Sequence, residues 1–360
     1  MTSAPKISHK KHLKLVRNYE AAARLALLSY VTDTEPGIMR KRAGKGFSYT
    51  QEDKAVKDKE ILERIRKLAV PPAWNNVWIC SKDNGHIQAT GIDAKNRKQY
   101  RYHPLWTVLR NETKFHNMLE FGKSLPLLRL KMEKDIAQKD LNEKKVLAAV
   151  ISLMQRTYIR IGNSSYEKMN GSHGLTTLHD KHVSIAGAEI SFSFKGKTSI
   201  HHDITVSNKK LASIVKQCRD IPGKELFQYY DASGARKAID SGMVNSYIQE
   251  ITDQTFTAKD FRTWAGCLHF LLAFKNRNVE GQTEATKSSL NDVLDEVSKK
   301  LGNTRTVCRK YYVHPGIIKL YEENKLQTYL QEVDQIEKDD NQTDLIKEEK
   351  VLMAILEKMV

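Results

Sequence analysis

Leu301-Gly-Asn-Thr-Arg-Thr-Val-Cys-Arg-Lys-Tyr-Tyr-Val-His-Pro315 sets two adjacent tyrosines eight and nine residues beyond an asparagine. The helix before it carries Leu290, Leu294, Val297 and Leu301 on one face, and Gly302 supplies its stop. Thr304 reads as the N-cap of the next segment, which His314-Pro315 closes. Either tyrosine could act as a nucleophile. With a pKa near 10, only roughly one phenol in a thousand is ionised at neutral pH, so that chemistry requires cations drawn from elsewhere in the chain.

Outward from this stretch the pattern is mainly helical. Apolar residues recur at three- and four-residue spacing in Phe115 to Gly122, Leu127 to Ala137, Asn142 to Arg156 and Asn208 to Cys218. They do so again in Ala232 to Ile251 (with a break at Gly242), Ala258 to Asn276 and Glu284 to Leu301. One interruption is β-like. Val183, Ile185, Ile190, Phe192 and Phe194 alternate, and Ser199 to Thr205 resumes after a turn at Lys195-Gly-Lys-Thr198, which predicts a hairpin or small sheet. Beyond Pro315, two amphipathic helices are expected, Gly316 to Glu337 and Asp344 to Val360, joined by a polar linker at Lys338 to Thr343.

The N-terminal part reads differently. Residues 1–15 suggest a loose basic arm, Arg17 to Tyr30 a helix, and Thr32 to Gly37 a turn. The basic segment from Arg40 to Tyr49 does not match a phosphate-binding GxxxxGK[ST] loop. Lys54 to Ala69 has helical spacing and ends at Pro71-Pro72. Short strands are predicted at Val77–Cys80, His86–Thr90 and Gln99–Tyr102, with turns at Asp83-Asn-Gly85 and Asp93-Ala-Lys-Asn96. The second hairpin gathers Lys95, Arg97, Lys98 and Arg101 around Tyr100 and Tyr102, a mixture suited to a phosphate backbone and equally to a solubilising surface. The expected class is α+β: a strand-rich domain over 1–103, a larger helical domain with a small sheet over 104–320, and an acidic helical tail over 321–360.

Composition narrows the partner. Lys and Arg number 59 against 43 Asp and Glu in 360 residues, a formal charge of +16, which favours a polyanion. The chain from Tyr321 onward has eleven acidic residues and five lysines, so the body is more basic than the total implies. Cys80, Cys218, Cys267 and Cys308 are far apart with no CxxC pair, which argues against a zinc site or a disulfide framework and fits reduced cytosolic thiols. Neither a signal-peptide core nor an apolar run of membrane-spanning length is present, so neither secretion nor a membrane partner is expected. His179 and His182 stand beside a strand and His201-His202 lack an obvious third ligand, so no metal or other cofactor is expected.

Arginine can replace a metal on phosphate, because its planar fork donates paired hydrogen bonds and stays charged. Composition cannot choose among the arginines, but ordered motifs can. Tyr158-Ile-Arg-Ile-Gly-Asn163, Phe194-Lys-Gly-Lys-Thr198, Lys259-Asp-Phe-Arg-Thr-Trp264 and Gly302-Asn-Thr through Tyr312 resemble the catalytic motifs of type IB DNA topoisomerases, in the small bacterial and viral branch. Gly91-Ile-Asp-Ala-Lys-Asn-Arg-Lys-Gln-Tyr-Arg-Tyr102 resembles the end of that family's smaller DNA-clamping domain. The resemblance extends from about Lys41 to Pro315.

What it implies is specific. Arg160 and Arg262 would hold the scissile phosphate, Lys197 would protonate the departing 5′ oxygen, and Tyr312 would be the nucleophile with Tyr311 its neighbour. Asn303 stands where viral and nuclear members carry histidine, offering an amide donor without charge. The partner would be double-stranded DNA, clamped by a monomer with a hinge near His103–Leu105, and the setting the bacterial cytoplasm at the nucleoid. Taken singly, each residue also has a structural role open to it, as a surface ion-pair partner, a loop lysine or a helix cap. Two other functions compete. A tyrosine recombinase shares this chemistry but usually has a helical N-terminal domain and a His-x-x-Arg signature where this chain has Lys259-Asp-Phe-Arg262. A non-catalytic basic DNA-binding protein would use the tyrosines only for packing.

Overall fold

The computed structural model describes residues 8–16, 18–94, 96–279, 287–335 and 343–359. It divides into two compact units, Met1–Asn117 and Met118–Val360, the division falling inside one long helix. Among the described residues no helix is long and apolar enough to cross a membrane.

The first unit starts with α1 (His9–Leu15) and α2 (Tyr19–Leu25). A loose arm was the expectation over residues 1–15, yet residues 9–15 are helical because α1 has something to bury. Leu15 is in the core and the His12 ring stacks on His116, with centroids 3.9 Å apart. Next come β1 (Ile38–Ala43), β2 (Gly46–Gln51), β3 (Lys54–Ala55), α3 (Lys59–Lys67), β4 (Asn75–Ile79), β5 (Ile87–Ile92) and β6 (Lys98–Tyr102). They form one six-stranded antiparallel sheet in the order β3-β2-β1-β4-β5-β6.

Only β4 to β6 were expected from sequence. The basic segment around Arg40 is a strand because β1 pairs with β4 through Ile38↔Ile79 and Met39↔Trp78, and Gly44 takes the left-handed turn (φ 56°) that returns the chain as β2. Lys54–Ala55 belongs to that sheet, so α3 begins five residues later than its periodicity suggested, where Asp58 accepts from the N–H groups of Glu60 and Ile61. Its Ile65 packs with Ile38, Val77, Ile79 and Ala89 against the sheet.

Helix α4 (Pro104–Ile136) is continuous through Pro126 where two helices were expected. The second unit continues with α5 (Glu143–Thr157), α6 (Ser164–Asn170), β7 (Val183–Ala186), β8 (Glu189–Lys195), β9 (His201–Ser207) and α7 (Lys209–Arg219). Then follow β10 (Gln228–Tyr230), β11 (Arg236–Ala238), α8 (Ser241–Thr252), α9 (Ala258–Val279) and α10 (Lys287–Leu301). Last are α11 (Arg305–Tyr311), α12 (Pro315–Glu322), α13 (Leu326–Gln335) and α14 (Lys347–Glu357). Strands β7-β8-β9 form the expected small sheet. The stretch read as helix from Ala232 instead opens with β11, which pairs with β10, and α8 starts at Ser241 under an Asp240 cap. The expected helix start at Glu284 and most of the polar linker at Lys338 to Thr343 lie outside the described residues.

Helix α5 is buried on nearly every side, with Val146, Ala148, Ala149, Val150, Ile151 and Leu153 at the centre of this unit. Elsewhere in this unit, α14 is fastened by a buried ion pair. Glu349 receives both arms of the Arg129 guanidinium (2.9 and 2.8 Å), and its Oε1 also accepts from Trp264 Nε1 of α9 at 2.9 Å. Removing one partner of a buried pair strands the other. Glu349→Ala is therefore expected to cost about 3 kcal/mol or more in urea unfolding; a loss below about 1 kcal/mol, the value of an exposed pair, would show that α14 is not held this way.

Candidate active site

Helix α5 ends at Thr157, and Tyr158 caps it in the left-handed region (φ 56°). Arg160 therefore lies just past the end of α5, outside regular secondary structure. That segment runs beside residues 174–176: Leu175 N–H donates to the Arg160 carbonyl (2.9 Å) and Thr176 N–H to that of Ile161 (2.7 Å). The backbones approach closely because Gly174 lacks a Cβ, which would stand 2.4 Å from the Arg160 oxygen.

Arg262 projects from α9 and is only 5% exposed. Its Nη2 donates to the Leu301 carbonyl (2.8 Å) and its Nη1 to the Tyr158 carbonyl. Arg160 Nη2 donates to the Gly302 carbonyl (3.2 Å) and to Asn303 Oδ1 (2.5 Å). Leu301 closes α10 and Tyr158 caps α5, so these acceptors sit at helix C-termini, where carbonyls lack partners within the helix and the dipole is negative. Among the described residues neither guanidinium has a carboxylate partner. Asp260, two residues before Arg262, instead accepts from the N–H and hydroxyl of Thr257 at the start of α9.

The phenol comes to these cations through α9. One turn after Arg262, Gly266 faces the Tyr312 backbone; a Cβ there would lie 2.7 Å from the Tyr312 oxygen and from its Cβ. Beside it, Cys267 Sγ donates to the Tyr312 carbonyl (3.3 Å) and accepts from the His314 N–H (3.2 Å). Helix α11, capped by Thr304, ends at Tyr311, so Tyr312 is its C-cap residue. The Arg262 guanidinium carbon lies 5.3 Å from the Tyr312 ring centroid. Tyr311 is 41% exposed. Sequence reading did not single out Gly266, and took Cys267 only as a reduced thiol; their one signal for this site was proximity to Arg262.

Burial by itself raises the Tyr312 pKa, but the charges of Arg262, Arg160 and Lys259 and a hydrogen bond from Arg262 outweigh it, so the phenol is more acidic than usual. Burial and the repulsion of Arg262 lower Arg160 to about 10, which still leaves it charged at neutral pH. Asn303 joins the group through Oδ1, while its Nδ2 donates to the Leu301 carbonyl at 3.3 Å. Lys197 lies outside the buried group, exposed on the turn between β8 and β9. His202 was seen only as half of a ligand-poor pair, yet its ring stacks on Phe194 (5.2 Å) and packs over Gly302. Burial, then Arg160 and Arg262, push its pKa down, so it adds bulk without charge at neutral pH.

The N-terminal candidates fare differently. Arg97 is bound to Asp93 (2.7 Å), Lys98 to Asp33 (2.6 Å), and Arg101 donates to the Ala69 carbonyl at 2.8 Å. Tyr100 and Tyr102 stack at 5.8 Å with both rings about half exposed. Lys95 lies outside the described residues. On the β1–β2 hairpin, Lys41, Arg42 and Lys45 are exposed and carry no ion pair among the described residues.

Half-buried Arg160 and buried Arg262 beside an acidified phenol present paired cationic donors suited to a phosphate. Residues 96–340 match the family profile described as "Eukaryotic DNA topoisomerase I, catalytic core", and residues 46–93 that of "Bacterial DNA topoisomerase IB, N-terminal domain". The DNA topoisomerase 1B of Acanthamoeba polyphaga mimivirus is 33% identical over 299 residues, 80% of this chain and 88% of that protein. The DNA topoisomerase 1B of Vaccinia virus (strain Copenhagen) is 23% identical over 64% of this chain and 71% of its own length. The DNA topoisomerase 1 of Rabbit fibroma virus (strain Kasza) is 22% identical over 75% and 87%. The chain belongs to the type IB DNA topoisomerases, which makes it an isomerase acting on DNA. Its place within them is the viral and bacterial branch.

Gly266→Ala tests the geometry with a residue that favours helix. An added Cβ must displace the Tyr312 backbone, and a misplacement of about 1 Å costs on the order of a hundredfold in rate. Single-turnover cleavage should slow by that order while DNA affinity is retained; an unchanged rate would show that Gly266 does not set the tyrosine's position.

Proposed function

We propose that this topoisomerase relaxes supercoiled duplex DNA by transient cleavage of one strand, with Tyr312 as nucleophile. The phenolic oxygen attacks the scissile phosphorus and the bond to the 5′ oxygen breaks, leaving a 3′-phosphotyrosyl ester and a 5′ hydroxyl. Arg160 and Arg262 hold the non-bridging oxygens and stabilise the charge of the trigonal-bipyramidal transition state. The observation that carries this reading is the pair of guanidiniums, Arg262 buried and Arg160 half-buried, without a carboxylate partner among the described residues and beside a phenol whose pKa they lower.

Asn303 Nδ2 exchanges its bond to the Leu301 carbonyl for one to a phosphate oxygen. Lys197, on its exposed turn, closes on the duplex and protonates the 5′ oxygen, a far poorer leaving group than phenoxide. The ester keeps the bond energy, so the 5′ hydroxyl can reverse the step without ATP after the strand has rotated. We assign the work to a monomer whose two units both grip the duplex, in the cytoplasm at a bacterial nucleoid; the match of residues 46–93 to a bacterial domain supports that setting.

Relaxation of supercoiled plasmid in chelator without ATP is the direct assay. Wild type should relax, Tyr312→Phe should not, and Tyr311→Phe should stay within a few-fold of wild type. Arg160→Ala should slow cleavage by about 10²–10³. Relaxation by Tyr312→Phe would exclude the assignment.

The grip has a separate signature. Each phosphate contact adds about 0.9 to the slope of log affinity against log salt. Replacing Lys41, Arg42 and Lys45 together by glutamine should flatten the slope by about two to three. Replacing Arg97 and Lys98, whose charges are already matched by Asp93 and Asp33, should change it less. The reverse ranking would return the interface to the β5–β6 hairpin.

A further inference from the structure

Glu167, His173 and His179 each place one donor atom within 4.8 Å of the others. In sequence His179 and His182 stood out only as a pair beside a strand; the fold supplies Glu167 from α6 and His173 from the loop after it. The Glu167 carboxylate oxygen Oε1 already lies 3.1 Å from His179 Nε2. The His173 Nδ1 lies 2.6 Å from the Thr177 carbonyl. A carbonyl can only accept, so Nδ1 carries the proton and Nε2 keeps the lone pair, the tautomer that a metal ligand held by an outer hydrogen bond requires. His182 is excluded as a ligand through Nδ1, which accepts from the His179 N–H at 3.0 Å, and its ring forms a wall 4.4 Å from His173.

We propose that Glu167, His173 and His179 bind one divalent transition-metal ion of the zinc class, outside the phosphate-binding arginines. Two imidazoles and one carboxylate form a ligand set suited to zinc, with the remaining position taken by water. The ion braces the second unit. His173 N–H donates to the Lys195 carbonyl (2.8 Å), next to the turn that bears Lys197, and Leu175 N–H donates to the Arg160 carbonyl. The ion ties α6 to the segment that joins those two places. It takes no part in the phosphoryl transfer.

Lys224 gives the proposal its sharpest test. Its ammonium lies 2.8 Å from Glu167 Oε1 and occupies the charge that a cation would use. Lys224→Gln removes this competitor without removing a ligand, so metal should bind more tightly.

Tag-free protein, stripped with chelator and dialysed, would be titrated with Co2+ by ligand-field absorption and with Zn2+ by calorimetry. Thermal unfolding would be followed in parallel. Wild type should take up one equivalent and unfold at a higher temperature with Zn2+. Glu167→Gln and His173→Gln should each weaken binding by at least about tenfold, while His201→Gln, an exposed histidine elsewhere, should bind as wild type. Lys224→Gln should bind several-fold more tightly. Absence of saturable one-equivalent binding, wild-type affinity in the ligand variants, or unchanged or weaker binding by Lys224→Gln would each overturn the site. None of these readouts involves DNA, so the proposal can fail while the topoisomerase reading stands.

Discussion

The second unit is organised around a repulsion it does not cancel. Arg160 is half-buried and Arg262 buried, near enough for Arg262 to disfavour the charge of Arg160, and neither is matched by a carboxylate among the described residues. Buried charge of one sign is costly unless something compensates it. Here the compensation is partial and directional, from carbonyl oxygens at the C-terminal ends of α5 and α10. These helices would have unsatisfied acceptors at those ends in any case. The arginines therefore complete the helices, and the helix dipoles supply negative potential without neutralising the cations. What remains is positive potential suited to one phosphate.

Several apparently separate features follow from that arrangement. The left-handed cap at Tyr158 aims its carbonyl at Arg262 and sends the chain on to Arg160. Gly302, also left-handed (φ 54°), ends α10 with its carbonyl on Arg160 and leaves space for the His202 ring. A cationic side chain at Asn303 would add to a site already holding two positive charges. An amide instead accepts from Arg160 at no electrostatic cost.

Much of this fold can be read from sequence where periodicity and punctuation agree. Asn142 to Arg156 and Asn208 to Cys218 carry apolar faces and capping asparagines, and they are helices to within about a residue or two of those limits. Arg40-Lys-Arg42 offers no such signal, because a run of three charged residues has no apolar alternation and is specified by its pairing with Tyr49, Ser48 and Phe47 of β2 and not by its own pattern. The helical tract from Ala232 failed at its start for a related reason, since β11 exists only as the complement of β10. The arginines, the lysine and the tyrosines were legible as motifs in order. Their relation was not: that two helix termini hold the guanidiniums, or that Gly266 admits the Tyr312 backbone, depends on residues tens of positions apart in the chain.

The sulfur and glycine contacts between α9 and the Tyr312 turn bear on which phosphate the tyrosine can reach. Arg262 and the backbone of Tyr312 are fixed to the same helix, one by its own side chain and the other through Gly266 and Cys267. Lending the phenol to a neighbouring copy would require breaking those contacts and uncovering the packed face of α9. The nucleophilic role proposed for Tyr312 would thus be exercised in cis, on the phosphate held by its own arginines. In that role the same attachment would keep the esterified strand end in register while the other end turns. Strand exchange between copies would need a looser tether than this one.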